Sequence, residues 1–72
     1  MFPNLDAEMA RRGVKRVDIA NDFYNGRTAT VSDKLNGKTP LQMMEAIRIR
    51  NKYFPDLELG YLFDTEPEKI AN

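Results

Sequence analysis

Two sets of side chains in this 72-residue chain could do chemistry together. The first is a set of carboxylates, Asp18 with Asp22 at i, i+4 and Asp56 with Glu58. Paired carboxylates can serve acid–base catalysis or hold a hard cation. On a helix surface without a pocket, however, Asp18 and Asp22 are better placed for salt bridges. Asp56 and Glu58 supply too few oxygens for a metal. The chain has no His and no Cys, which removes the commonest general base, the commonest zinc ligand and any disulfide or thiolate site. The expectation is a non-enzyme without cofactor or metal.

The second set is made of short polar side chains that could read a surface by hydrogen bonding. It runs Thr28-Ala29-Thr30-Val31-Ser32-Asp33 and ends at Lys34-Leu35-Asn36-Gly37-Lys38. With Val17-Asp18-Ile19-Ala20 before it, the stretch reads as two short helices joined by a tight turn. The second helix is polar on one side and stopped by Asn-Gly. A helix-turn-helix reader of DNA has these parts: one helix braces, the turn fixes the angle, and the next presents short polar groups to the major groove.

The elements that position this stretch follow from periodicity and caps. A first helix over 4–12 places Leu5 and Met9 at i, i+4, with Asp6 and Glu8 toward its positive end and Arg11 and Arg12 toward its negative end. Gly13 stops it. A second helix over 16–23 has Val17, Ala20 and Phe23 as its inner stripe. Tyr24-Asn25-Gly26-Arg27 is the turn, since Asn-Gly tolerates positive φ. A third helix over 28–35 is capped by Thr28, faces inward through Val31 and Leu35, and ends at Asn36-Gly37. Thr39-Pro40-Leu41-Gln42 reads as a capping box with Pro at the first helical position of a fourth helix, which Pro55 ends. A short fifth helix over 56–63 starts from Asp56. Phe23, Tyr53, Phe54 and Phe63 fall at helical spacing beside aliphatics and read as core.

Bulk properties agree with one small domain. A chain this short buries only about 60% of its unfolded surface, so its helices depend on a thin apolar core. Residues 1–63 form the expected helix-turn-helix domain, and 64–72 a short polar tail. No apolar run approaches the roughly 20 residues of a membrane span, and the N-terminus lacks a signal-peptide pattern. An intracellular setting and no membrane partner are expected. Net charge is zero, but it is unevenly placed. Residues 11–52 carry ten Lys/Arg against four Asp/Glu, whereas 53–72 carry one Lys against five acids. Arg11, Arg12, Lys15, Arg16, Arg27, Lys34 and Lys38 bracket the polar stretch, a local electrostatic footprint on a neutral protein.

Over residues 4–63 the chain resembles the lambda-repressor-like (XRE) family. The likeness is carried by Asn4-Leu5, Ala7-Glu8-Met9-Ala10-Arg11, Asp18-Ile19-Ala20, Thr30-Val31-Ser32, Lys34-Leu35-Asn36-Gly37-Lys38, Glu45-Ala46, Phe54-Pro55-Asp56-Leu57 and Tyr61-Leu62-Phe63. This set is similar to that of small regulators of temperate phages of Gram-positive bacteria. The resemblance implies a compact all-α, five-helix fold, location in the cytoplasm of a bacterial host, and operator double-stranded DNA as partner. It implies that Thr28, Ala29, Ser32 and Asp33 face base edges, and that Arg16, Lys34, Asn36 and Lys38 contact phosphates. It also implies an alternative, a small antirepressor or modulator of repression that pairs with the cognate phage repressor. For that role Asp33 offers a charge partner to a repressor Arg or Lys, and Tyr24 and Arg27, at the edge of the same face, are of the residue types that most often anchor interfaces. A monomer or weak homodimer suits a chain of this length. Two positions depart from the family pattern. Lys15 stands where a capping Thr is usual, and Ala20 to Asn36 spans one residue more, which falls in the turn.

Overall fold

The helical spacing of the apolar residues is realised as five helices. The computed structural model describes residues 1–65 and contains α1 (Pro3–Arg12), α2 (Arg16–Phe23), α3 (Thr28–Leu35), α4 (Met43–Tyr53) and α5 (Leu59–Leu62). Among the described residues there is no strand, and no helix is long and apolar enough to cross a membrane. Most of the expected polar tail, from residue 66 onward, lies outside the described residues.

α1 opens on Pro3, whose missing N–H costs nothing in a first turn. It closes at Gly13 with φ 69°, and the Val14 N–H then reaches back to the Met9 carbonyl at 2.9 Å. α2 begins at Lys15 in an extended conformation. Lysine cannot accept a capping bond, so only the reciprocal half of a capping box forms: the Lys15 backbone N–H donates to Asp18 Oδ2 at 2.9 Å. α3 likewise has no side-chain cap. Arg27 occupies the cap position and Thr28 is already helical, which corrects the assignment of Thr28 as the cap.

Three further expectations are corrected. Val17 is 44% exposed, and Ile19, fully buried, takes the inner position of α2. Ile19, Ala20 and Phe23 lie on one stripe at 3.6 residues per turn, and Val17 falls outside it. α4 starts three residues later than Thr39-Pro40 suggests. Its cap position is Gln42, whose backbone N–H donates to Glu45 Oε2 at 2.8 Å, the same spacing shifted along the chain. Met43 and Met44 are consequently exposed. α5 is only four residues long and begins after Glu58.

Asp56 does not cap α5 because Arg12 holds it. The guanidinium donates to both Asp56 oxygens at 2.8 and 2.7 Å and to the Tyr53 carbonyl at 3.1 Å. The same group lies 5.2 Å from the centre of the Phe54 ring. The hydrogen bond from Arg12 holds the Asp56 carboxyl below its ordinary range. α1 is thereby clamped across the end of α4. Tyr61 adds a second clamp, since its hydroxyl donates to Glu8 Oε2 at 2.9 Å, and Arg11 reaches the same oxygen at 2.8 Å. Glu8 is 5% exposed, and both of these donors converge on the one oxygen of a buried carboxylate.

The core consists of Leu5, Ile19, Val31, Leu35, Ile49, Phe54 and Leu62, with Phe2, Met9 and Ala20 around them. Phe23, Tyr53 and Phe63 pack against it while staying partly exposed. α2 and α3 pack mainly on each other, and α5 is wedged against α1 and α4. The polar stretch is thus mounted on one edge of a small apolar core.

Candidate nucleic-acid interface

Four residues, Tyr24 to Arg27, separate α2 from α3. The Ala20 carbonyl accepts from the Tyr24 N–H at 2.8 Å and from the Gly26 N–H at 2.9 Å. Closing a helix in this way needs left-handed backbone, and Asn25 (φ 52°) and Gly26 (φ 77°) supply it. The Arg27 N–H returns to the Tyr24 carbonyl at 3.0 Å. The additional residue noted in the sequence is therefore held inside a hydrogen-bonded turn. Ile19 and Ala20 on α2 and Val31 and Leu35 on α3 are at most 1% exposed, so the two helices share a dry contact.

Because Val31 and Leu35 point inward, the opposite side of α3 is fixed by helical periodicity. Ala29 and Asp33 lie on that far side. Thr28 and Ser32 lie on the flank shared with Asn36. Ala29 is exposed, and Thr28, Ser32 and Asp33 are half-buried. The structure therefore sets two of the four expected recognition residues, Ala29 and Asp33, on the far side of α3 and the other two, Thr28 and Ser32, on the adjoining flank. The Asp33 side chain has no hydrogen-bond or ion-pair partner among the described residues.

The expected phosphate contacts separate into two kinds. Arg16 and Asn36 come together across α2 and α3: Arg16 Nη2 donates to Asn36 Oδ1 at 3.1 Å, with Asp6 farther away at 3.8 Å. Lys38 is exposed just beyond α3. Lys34 is on the other flank of α3 and turns inward. Its ammonium pairs with Glu45 at 2.9 Å and donates to the Pro40 carbonyl at 3.3 Å, with both charged side chains only 18% exposed. The structure gives Lys34 the internal task of fastening α3 to the start of α4.

Glu45 is the centre of that junction. Burial acts to raise its pKa, but the Gln42 backbone N–H, the Lys34 ammonium and the Tyr24 hydroxyl outweigh it and hold the carboxyl below its ordinary value. The Tyr24 hydroxyl donates to Glu45 Oε1 at 3.1 Å. Burial, followed by this bond, pushes the phenol up to about 12. Tyr24, expected as an exposed anchor of a partner surface, is half-buried and engaged, whereas Arg27 beside it is exposed. With Phe23 and Arg48, Tyr24 and Glu45 line a cavity of about 90 Å³, too small for a drug-sized ligand.

Among the described residues, Lys15, Arg27, Lys38 and Arg48 form no ion pair. Lys15 is exposed at the start of α2, next to Arg16. The sequence places it among the cations that bracket the polar stretch, and its exposed position beside Arg16 keeps it among those around α3. No group of three or more His, Cys, Asp or Glu among the described residues is arranged to hold a metal ion. No protein-family model, curated protein or solved structure matches the chain.

Proposed function

We propose that the protein is a DNA-binding transcriptional regulator of a temperate-phage switch, with a lambda-repressor-like helix-turn-helix formed by α2, the turn and α3. The observation that carries this reading is the placement of Ala29 and Asp33 on the outward side of α3, with Thr28 and Ser32 on the adjoining flank. Lys15, Arg16, Arg27 and Lys38 stand around them. α3 enters the major groove of operator DNA. Ser32 and Thr28 meet base edges, Ala29 meets a thymine methyl, and Asp33 accepts from a cytosine amino group. Arg16 and Asn36, already paired, meet one phosphate, and Lys15, Arg27 and Lys38 meet others. Occupancy of the operator blocks polymerase or a rival repressor. A gel shift on the intergenic DNA beside its own gene tests this. Binding that weakens steeply with salt supports the reading, and absence of binding at low salt contradicts it.

One observation favours a second reading, in which the protein is an antirepressor that covers the reading surface of a phage repressor. Asp33 is a carboxylate on the proposed face with no partner among the described residues, on a chain of zero net charge. It suits an Arg or Lys that a repressor normally gives to phosphate. Titrating the chain into a repressor–operator complex separates the readings. Release of operator without any footprint of this chain supports the antirepressor, particularly if Asp33→Arg abolishes it.

A further inference from the structure

The chain contains two Asn-Gly pairs, Asn25-Gly26 and Asn36-Gly37, and the fold places them in different chemical situations. Asn-Gly is the dipeptide in which backbone attack on the side-chain amide meets least steric hindrance. The Gly nitrogen, after losing its proton to solvent base, bonds to Asn Cγ. The Cγ–Nδ2 bond breaks, and ammonia leaves. Water then opens the resulting five-membered imide at either carbonyl, giving aspartate or isoaspartate. Water is the only co-reactant.

In the first pair the attacking nitrogen is tied down. The Gly26 N–H donates to the Ala20 carbonyl at 2.9 Å, and the next two N–H groups, of Arg27 and Thr28, are bonded at 3.0 Å each. In the second pair the Gly37 N–H makes a longer bond, 3.3 Å to the Lys34 carbonyl, at the exposed end of α3. Asn36 has ψ −4°, so attack requires the Asn36–Gly37 peptide to rotate. Gly37, at φ 85°, tolerates that rotation because it has no Cβ. The Lys38 N–H keeps its 2.8 Å bond to the Asp33 carbonyl, so the motion needed is local.

The second difference is electronic. Asn36 Oδ1 accepts from the Arg16 guanidinium at 3.1 Å. A cationic donor on that oxygen makes Cγ more electrophilic and stabilises the oxyanion that forms as nitrogen adds. No such donor reaches Asn25 among the described residues.

We infer that Asn36 is a site of spontaneous deamidation, assisted by Arg16, while Asn25 is protected by the turn. The product is a carboxylate, or a kinked isoaspartyl linkage, at the end of α3. The chemistry is independent of the proposed DNA function. Its consequence rests on that function, because the new negative charge faces the phosphate that Arg16 and Asn36 would contact.

The test is to age the full chain at neutral pH, folded and in denaturant, and to follow the Asn25 and Asn36 peptides by mass spectrometry with isoaspartate detection. In denaturant the two convert at similar rates. In the folded chain Asn36 converts faster than Asn25, and equal or reversed rates would overturn the inference. Arg16→Ala slows Asn36 by roughly threefold to tenfold, what one net hydrogen bond contributes, and Arg16→Lys restores part of the rate. An unchanged or faster rate in Arg16→Ala would remove the role of Arg16. If circular dichroism shows Arg16→Ala unfolded, Arg16→Gln replaces it. Asn36→Asp, assayed separately by gel shift, reads the consequence: unimpaired DNA binding sinks the consequence and leaves the chemistry standing.

Discussion

The two sides of the molecule use their charges differently. In the part built from α1, α4 and α5, polar and charged side chains tie distant stretches of the chain together. Arg12 reaches Asp56, and Tyr61 reaches Glu8 together with Arg11. In the part built from α2 and α3, the cations at the periphery, Lys15, Arg27 and Lys38, have no acidic partner among the described residues. Lys34 marks the border: it sits on α3 yet belongs, through Glu45, to the first kind. The contrast separates cations engaged within the fold from cations that form no ion pair among the described residues, Arg48 of α4 included, a difference that net charge alone conceals.

The largest effect that would break this division lies in the core beneath α3. Val31→Asp or Leu35→Asp places an unpaired carboxylate where exposure is 1%. That costs several kcal/mol, and a domain this small rarely has more than about 3–5 kcal/mol in total. Both variants should be unfolded by circular dichroism. Thr28→Ala should melt close to the parent, because Thr28 is not a cap.

Next in size is the division among the cations. Arg27→Ala and Lys38→Ala should each reduce the salt dependence of DNA binding by about one unit, with little change in melting temperature. Arg12→Ala and Lys34→Ala should do the reverse. A salt slope lowered by Lys34→Ala as much as by Lys38→Ala would erase the distinction.

The Glu45 junction gives a smaller effect of defined sign. Its carboxyl has a lowered pKa in the fold, so the stability it contributes is fully present above the unfolded value near 4.5 and is lost as pH falls through the lower folded value. Glu45→Gln should flatten this acid limb of a melting-temperature profile. At the alkaline end, Tyr24 should keep its proton until pH about 12 in an ultraviolet titration, and Glu45→Gln should bring that transition down. The smallest effect is expected at Val17. Val17→Ser should leave stability within about 0.5 kcal/mol, because the side chain is exposed; a large loss would restore it to the core.

Particular residues show what the sequence made legible. The limits of α2 and α3 follow from the Asn-Gly signals and the apolar pairs, and the structure has helices over the same residues. These are local effects. The Thr39-Pro40 signal misplaces the start of α4 because it has the stronger local capping residues, whereas Gln42 is a poor cap and only Glu45 bonds back to its backbone N–H. The choice between them is made by Lys34, which reaches Glu45 and the Pro40 carbonyl from another helix. Asp56 likewise has the right type for a cap, but Arg12, 44 positions away, binds it. Ile19 and Val17 are both apolar and each lies near Ala20 or Phe23 on a helical projection, so the sequence leaves either as the inner residue, and in the fold Ile19 is buried and Val17 exposed. The face of α3 was legible because inward Val31 and Leu35 define its opposite. The inward turn of Lys34 and the engagement of the Tyr24 hydroxyl were not, since both depend on Glu45.

The claim that α3 presents a DNA-binding face is tested most directly by a residue-resolved NMR titration of the protein with a short DNA duplex at low salt. This needs no knowledge of the operator, because phosphate contacts form on any sequence. Amide shifts should move at Lys15, Arg16, Arg27, Thr28, Ala29, Ser32, Asp33, Asn36 and Lys38, recover as salt is raised, and leave Glu8, Glu58 and Tyr61 unmoved. No shift at low salt, or shifts confined to the Glu8–Glu58–Tyr61 side, would contradict it.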